Sequence, residues 1–443
     1  MPRDAAAADH NAVSRYLAPL RRLRPYWWLL AVVVLVLASA PFASSPLRDA
    51  VTGAAVPETA LRLSPAYVVL APLSDALDLL TLLSVRQHVA LLLTLALVFA
   101  IWWWWRGRVM PPTVTTRKRR IARVAARIGL PLVTVIGVYA AGMMLPRPMA
   151  ALNPDLADVL VIDFHSHTKY SHDGRPDWTP EDNRAWHRDA GFDAAYVTDH
   201  RTFEGARDAW ANNPPLAAEG VVLLPGIEVV WKGEHVNVLD ADRMVRGLLD
   251  PMQRDIDEAA LGMASSVRGL EPVLVETIPG DLSKMIPAAG PGTAGVRAIE
   301  IVDGAPRGLG QGRRERARIV HLADSLNLAI VAGNNHHGWG HTAAGWTLMY
   351  LPGWRGASPS DLASAVTMLI RNGGKRSTRV VERYVADTET GIALPLTAPL
   401  VVWGMMRTLS TDERVVWIAW ALALFLLLRI RRTRRAGPTA TAS

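Results

Sequence analysis

Eight of the twelve histidines in this 443-residue chain lie in short clusters rich in acidic and polar residues. The first cluster is Asp163-Phe164-His165-Ser166-His167-Thr168-Lys169-Tyr170-Ser171-His172-Asp173-Gly174. The others are Thr198-Asp199-His200, Glu234-His235 and Asn334-Asn335-His336-His337, with His341 shortly after, and Glu228 closes Pro225-Gly226-Ile227-Glu228. His165 and His167 stand two apart, so on an extended segment both imidazoles project from one face and can reach a single ion. Most of these clusters end short β-branched runs, and side chains at the C-terminal ends of parallel strands converge on one cleft in barrel enzymes. Imidazole and carboxylate together suit divalent first-row metals, which activate water and polarise an ester oxygen. Lys169 and Arg201 are candidate contacts for a substrate anion, whereas the Arg313, Arg314, Arg316 and Arg318 series reads as a solvated helix face. Trp339, Trp346 and Trp354 either line a cleft or pack. His10, His88, His187 and His321 lie outside the clusters and carry no assigned role.

The H-x-H-T-x-x-S-x-D-G segment joined to T-D-H resembles the polymerase and histidinol phosphatase (PHP) superfamily over about residues 158–385. The resemblance implies a distorted (β/α)7 barrel and a metal-dependent phosphoesterase using zinc, manganese or iron. It implies that His165, His167 and Glu228 ligate one ion with help from Asn335. Asp173, His200 and His337 would hold a second, and Glu228 would bridge to a further ion at His235. Glu228, Asp173 and His200 would then carry the catalytic roles. Two departures stand out. Asn335-His336-His337 replaces an Asp-x-His pair, and Thr277-Ile278-Pro279-Gly280 replaces a His-Pro. An amide brings no negative charge and isoleucine cannot ligate, so one or two ions are expected rather than three. The alternatives are another metal hydrolase of amidohydrolase type, or a degenerate barrel serving as a metal-binding sensor. The former generally wants a carboxylated lysine, and Lys232 and Lys284 are the mid-domain lysines available.

The elements that must position these groups span about 156–387, where short apolar runs alternate with amphipathic stretches. Such alternation predicts an α/β domain with a mainly parallel, helix-covered sheet, most economically a barrel. Outside it the composition changes. The chain is 50% hydrophobic, has a mean hydropathy of +0.15 and lacks cysteine, which excludes disorder, a disulfide framework and a thiolate site. Apolar runs at about 26–42, 89–105, 128–145 and 415–428 approach the length that crosses hydrocarbon. Residues 66–85 carry Asp75 and Asp78, costly in hydrocarbon, and predict an interfacial or packed helix. Residues 392–406 are short and contain Pro395 and Pro399, which suits an interfacial or re-entrant approach.

Charge follows the same division. Residues 1–150 hold seventeen Lys and Arg against six acids, 151–406 hold twenty-four against thirty-two, and the tail holds seven against two. The basic excess therefore sits beside the apolar runs, where it sets membrane orientation and argues against a nucleic-acid partner. Both termini are expected inside an inner or plasma membrane, with the polar domain periplasmic or extracellular. The expected organisation is 1–149 as an N-terminal membrane region, 150–390 as the hydrolase domain, and 391–443 as a last membrane helix with a basic tail. The partners so implied are a phosphoester substrate and the lipid bilayer, and nothing in the sequence points to a protein partner.

Overall fold

The structure, a computed structural model, describes residues 24–109, 116–239, 256–257, 261–263 and 271–435. The first half runs α1 (Trp27–Ser39), β1 (Leu47–Asp49), β2 (Thr59–Leu63), α2 (Pro65–Val69), α3 (Ala71–Thr81), α4 (Val85–Val109), α5 (Arg117–Met144), β3 (Ala150–Pro154) and β4 (Val159–Ser166). Next come α6 (Pro180–Ala190), β5 (Ala194–Val197), α7 (Glu204–Ala211), β6 (Val222–Trp231), β7 (Glu234–Leu239), β8 (Val273–Glu276) and β9 (Val296–Asp303). The chain closes with α8 (Pro306–Leu326), β10 (Ala329–Gly333), β11 (Gly345–Tyr350), α9 (Pro359–Gly373), β12 (Arg379–Arg383), α10 (Thr397–Thr408) and α11 (Thr411–Arg435). The helix expected over 252–265 falls mostly outside the described residues.

The domain is mixed α/β, built on a curled ten-stranded sheet ordered β1-β12-β11-β4-β5-β6-β7-β8-β9-β10. Strands β4 and β10 are covered on both faces, every residue of each being buried, and they are apolar up to the polar groups at the site end of β4. Pairing is parallel for β4-β5-β6 and β8-β9-β10 and antiparallel elsewhere, so the sheet is mixed rather than mainly parallel. The cause is local. Lys232 and Gly233, at φ +56° and +85°, form a two-residue turn that sends β7 straight back along β6. Alternate residues of successive strands, among them Leu160, Tyr196, Leu224, Val275 and Val331, meet in one interior cluster closed by Leu362 and Val366 of α9. The curl brings the exit of β10 back to β4, where His167 donates its N–H to the His336 carbonyl (3.0 Å) and Asn335 to the His165 carbonyl (2.8 Å).

The N-terminal region contributes more than apolar helices, since β1 pairs with β12 and β2 with β3. Two helices, over Val85–Arg106 and Arg123–Met144, are long and apolar enough to cross a membrane, and Trp27–Phe42 forms a shorter apolar helix. Residues 66–85 pack as expected, and the acids explain why. Asp78 is buried against Arg147 (2.6 Å) and Arg383 (3.3 Å), and it accepts hydrogen bonds from Tyr67 and Thr342. Asp75 accepts from Trp417 of α11 (2.8 Å). Helix α3 thus carries charge inward, onto the domain and the last helix. Three arginines of the α8 series are paired rather than solvated, while Arg318 stays on the exposed face as expected. Arg313 donates to Gln87 and to the Leu82 carbonyl, Arg314 meets Glu389, and Arg316 grips Glu382 with both terminal nitrogens.

Candidate metal centre

Glu228, near the end of β6, is the hub of the site. Its Oε2 lies 2.9 Å from His165 Nε2, 3.3 Å from His167 Nε2 and 3.5 Å from His200 Nε2, and its Oε1 lies 2.8 Å from His235 Nδ1. His165 and His167 leave β4 on one face, and their Nε2 atoms stand 3.0 Å apart. Two groups of three ligand atoms, His165–His167–Glu228 and His200–Glu228–His235, each gather within 4.8 Å and share the glutamate. A third, His172–Asp173–His200, adjoins them. Asp173 lies 3.4 Å from both His200 and His337, and the His167 ring stacks on His337 at 4.1 Å.

Behind the imidazoles stand carboxylates that the motif does not reveal. Glu300 of β9 faces His165 Nδ1 at 2.8 Å, and Asp303 accepts from the Asn335 side chain at 2.9 Å. Both acids are fully buried. A carboxylate on Nδ1 fixes the ring and directs the Nε2 lone pair at the ligand position, the usual support of a metal-bound histidine. Gly333 is required here, because a Cβ at that position would collide with the Glu300 carboxylate and the His165 side chain. Asp163 repeats the device one layer down, accepting from His187 (2.9 Å) and from the Asn334 backbone and side chain (3.0 Å each). His187, unassigned by the motif, is therefore a buried anchor beneath the centre.

The electrostatics call for positive charge at the hub. Burial opposes ionisation of His165, yet Glu300 and Glu228 on its two sides outweigh it and hold its pKa well above the ordinary value. Burial raises the Glu228 carboxyl too, but His165, His167 and His235 reverse the effect and hold it well below the carboxylate range. His167 goes the other way. Burial, and then His337, push it well down, so it presents a neutral lone pair. Its Nδ1 is buried without a hydrogen-bond partner among the described residues. An ionised carboxylate that draws positive charge onto His165, beside the neutral ring of His167, marks a position where a divalent cation can replace the proton.

The motif-derived residues come together in large part. His165, Asp173, His200, Glu228, His235, Asn335 and His337 line one cleft of about 620 Å³, with His167 buried in its floor. Asn335 sits in the left-handed region (φ +46°), its Oδ1 2.8 Å from His337 Nε2, and so links His337 to Asp303. Ile278 is buried and donates its backbone N–H to Glu300, a supporting position that needs no ligand side chain. His336 stacks on Trp186 and bonds the Gly340 carbonyl, so it does not make up for the missing histidine. Lys169 extends over the Tyr170 ring and Arg201 is exposed, and neither lines the cleft. Arg307 does line it, in the first turn of α8, where the sequence carries no signal beyond a basic residue after a strand-end acid. Trp346 and Trp354 are buried packing residues, whereas Trp339 is partly exposed near the mouth.

Two expectations follow from the buried acids. Glu300→Gln keeps the shape but removes the charge behind His165, so chelator competition with zinc or manganese should show metal affinity weakened by roughly 10–100-fold. Unchanged affinity would deny Glu300 a supporting role. Glu276, the last residue of β8, is raised to about 8 by burial and by the charges of Glu234 and Glu300. Its folded form prefers the proton, so this acid costs nothing below its ordinary pKa of 4.5, and stability falls as pH rises from there to about 8. Glu276→Gln should therefore raise the unfolding temperature at pH 8.5 by several degrees, with the gap closing at pH 5. A gap that does not depend on pH would contradict this account.

No family model matches the chain, and no curated protein matches it. Solved structures do. PsfC from Pseudomonas syringae PB-5123 is 18% identical with a TM-score of 0.36, the alignment covering 56% of this chain and 97% of that one. A two-domain protein from Bacteroides vulgatus containing a predicted PHP-like metal-dependent phosphoesterase is 15% identical (TM-score 0.31; 50% and 64% covered). An amidohydrolase from Chromobacterium violaceum is 18% identical (TM-score 0.28; 46% and 99% covered). These likenesses are distant. The superfamily that the motifs resemble is represented among them, and what the site can do is decided by its own side chains.

Proposed function

We propose that the chain is a membrane-tethered, metal-dependent phosphoesterase with a PHP-type (β/α)7 barrel. The observation that carries the proposal is a single ionised carboxylate, Glu228, shared by four imidazoles from β4, β7 and the turn after β5. His165, His167 and Glu228 would hold one divalent ion, zinc, manganese or iron. Asp173, His200, His337 and His235 would hold a second. Such an ion supplies Lewis acidity to a phosphoryl oxygen and lowers the pKa of water. The protein residues around it do the rest. Arg307 offers a guanidinium for the substrate's phosphate oxygens at the cleft mouth, the geometry for which arginine is suited. Asp173 orients His200 and His337, and Glu300 and Asp303 hold the histidine and amide side chains in register.

Helix directions support the tether. The ends of the apolar helices nearest the barrel are Phe42, Val85, Met144 and Thr411, all next in sequence to segments bonded to it. The arginines at 106, 108, 117–127 and 429–435 stand at the opposite ends. Crossings at Trp27–Phe42, Val85–Arg106, Arg123–Met144 and within α11 would put both termini inside and the barrel outside the cytoplasm. The amidohydrolase alternative gains no support, since Lys232 forms the hairpin turn, Lys284 pairs with Glu234, and neither lines the cleft.

The test is elemental analysis of the purified full chain with a panel of phosphomonoesters, phosphodiesters and amides. The expected result is bound transition metal and hydrolysis confined to phosphoesters, both lost in His167→Ala. A metal-free chain that stays inactive on added manganese or zinc would favour a degenerate sensor instead.

A further inference from the structure

A second depression, an apolar groove of about 290 Å³, opens beside the metal cleft. The two are continuous, sharing Ala305, Pro306, Asn335 and His337 on their common wall. The far wall of the groove is not barrel: Val138, Gly142 and Met143 come from α5, and His88 from α4. Val85, the first residue of α4, also lines the metal cleft. Backbone contacts lock this arrangement. Gly340 donates to the Met143 carbonyl (2.8 Å), and Arg147 to the His341 carbonyl (2.8 Å), so the loop after the metal ligands is bonded to the end of α5.

Helices α4 and α5 are also laterally open. They do not pack along their lengths; a His88–Tyr139 hydrogen bond (2.9 Å) ties them at the groove, and Arg127 over the Trp103 ring (5.7 Å) ties them near the other end. Of the residues in their two apolar windows, 6% and 0% are buried within the chain, so these surfaces need an apolar medium. The groove therefore runs from the proposed metal ions, past a polar rim, to the gap between two lipid-exposed helices. Imidazole and amide groups line the side shared with the cleft, and Val138, Gly142 and Met143 line the far wall beside the hydrogen-bonded His88–Tyr139 pair.

We propose that the substrate is a membrane amphiphile: a phosphoester headgroup enters the metal cleft while its hydrocarbon tail lies in the groove and leaves between α4 and α5 into the bilayer. This rests on the phosphoesterase reading and names the substrate class. A water-soluble phosphoester needs the cleft alone and leaves both the apolar groove and its bilayer opening without a purpose.

The probe is a phosphonate analogue of phosphatidic acid, which cannot be hydrolysed, carrying a diazirine in one acyl chain and photolysed with the manganese-loaded full chain in lipid nanodiscs. Label is expected on α5 around Val138–Met143. It should fall about tenfold with excess of the same phosphonate lacking the diazirine and remain with excess diacylglycerol, which has the chains but no phosphate. Gly142→Trp fills the groove, and the backbone accommodates it, since a Cβ there meets only Leu77 Cδ2 at 3.6 Å. It should remove the competable label and lower the ratio of phosphatidic acid to p-nitrophenyl phosphate turnover about tenfold. Leu130→Trp, on the exposed surface of α5 away from the groove, should change neither. A chain that turns over p-nitrophenyl phosphate but shows no phosphate-dependent label overturns this inference alone. A chain that hydrolyses neither p-nitrophenyl phosphate nor bis(p-nitrophenyl) phosphate overturns the phosphoesterase reading and this substrate assignment with it.

Discussion

Glu228→Gln should lower phosphoester hydrolysis by on the order of a thousandfold and release most bound metal, while leaving the unfolding temperature of the metal-free chain close to that of the unaltered protein. The substitution keeps the volume and one carbonyl oxygen. It removes the negative charge that faces His165, His167, His200 and His235 at 2.8–3.5 Å. No ionised carboxylate then directly joins the two ion positions. Several kcal/mol of transition-state charge stabilisation depend on the ion, and each 1.36 kcal/mol is a factor of ten in rate. Retention of activity within about tenfold would remove Glu228 from the mechanism.

The second large effect lies far from the chemistry. Asp78→Ala should destabilise the full chain by about 3–5 kcal/mol, because it strips the counter-charge from two guanidiniums, Arg147 and Arg383, that are largely buried around it. Asp78→Asn keeps the acceptor for Tyr67 and Thr342 and should cost less than the alanine variant, though still most of the charge contribution. Thermal and denaturant unfolding in detergent measure both. A loss below about 1 kcal/mol for Asp78→Ala would mean that water reaches this cluster and screens it. The cluster joins α3 to β12 and to the segment after α5, so its loss should also loosen the barrel from the apolar helices.

How much of this is legible in the sequence depends on whether a residue's role shows locally. The His165–His167 pair is legible because period-two spacing on a strand is geometry in itself. His200 is legible because it follows a β-branched run, and Glu228 because it is an acid inside an otherwise apolar one. Glu300 and Asp303 are not, because in the segment Ala298-Ile299-Glu300-Ile301-Val302-Asp303 the two acids stand three apart, which on a regular strand puts them on opposite faces. An acid in an alternating strand ordinarily faces solvent. Only the curl of the sheet turns Glu300 inward under His165. The start of α8 is hidden for a related reason: Gly308, Gly310 and Gly312 argue against a helix, yet Gly308 and Gly312 are buried where the helix approaches β9 closely, and Gly310 where it approaches Ser84 and Glu389. The Lys232-Gly233 hairpin carries a signal, two turn residues between apolar runs, and it accounts for the mixed sheet. Asp75 and Asp78 show the value of an apparent misfit, for their cost in hydrocarbon correctly predicts a packed helix.

The central claim is that imidazoles from β4, the turn after β5, β7 and the turn after β10 gather with Glu228 around a divalent cation. Pulsed electron paramagnetic resonance of the full chain loaded with manganese(II) tests it most directly. Nitrogen modulation from directly bound histidine is the result expected, diminished in His165→Ala and His167→Ala and diminished further when both are replaced, with the remainder coming from His200, His235 and His337. A manganese signal without nitrogen coupling, or one whose nitrogen coupling is unchanged by the double replacement, would contradict it.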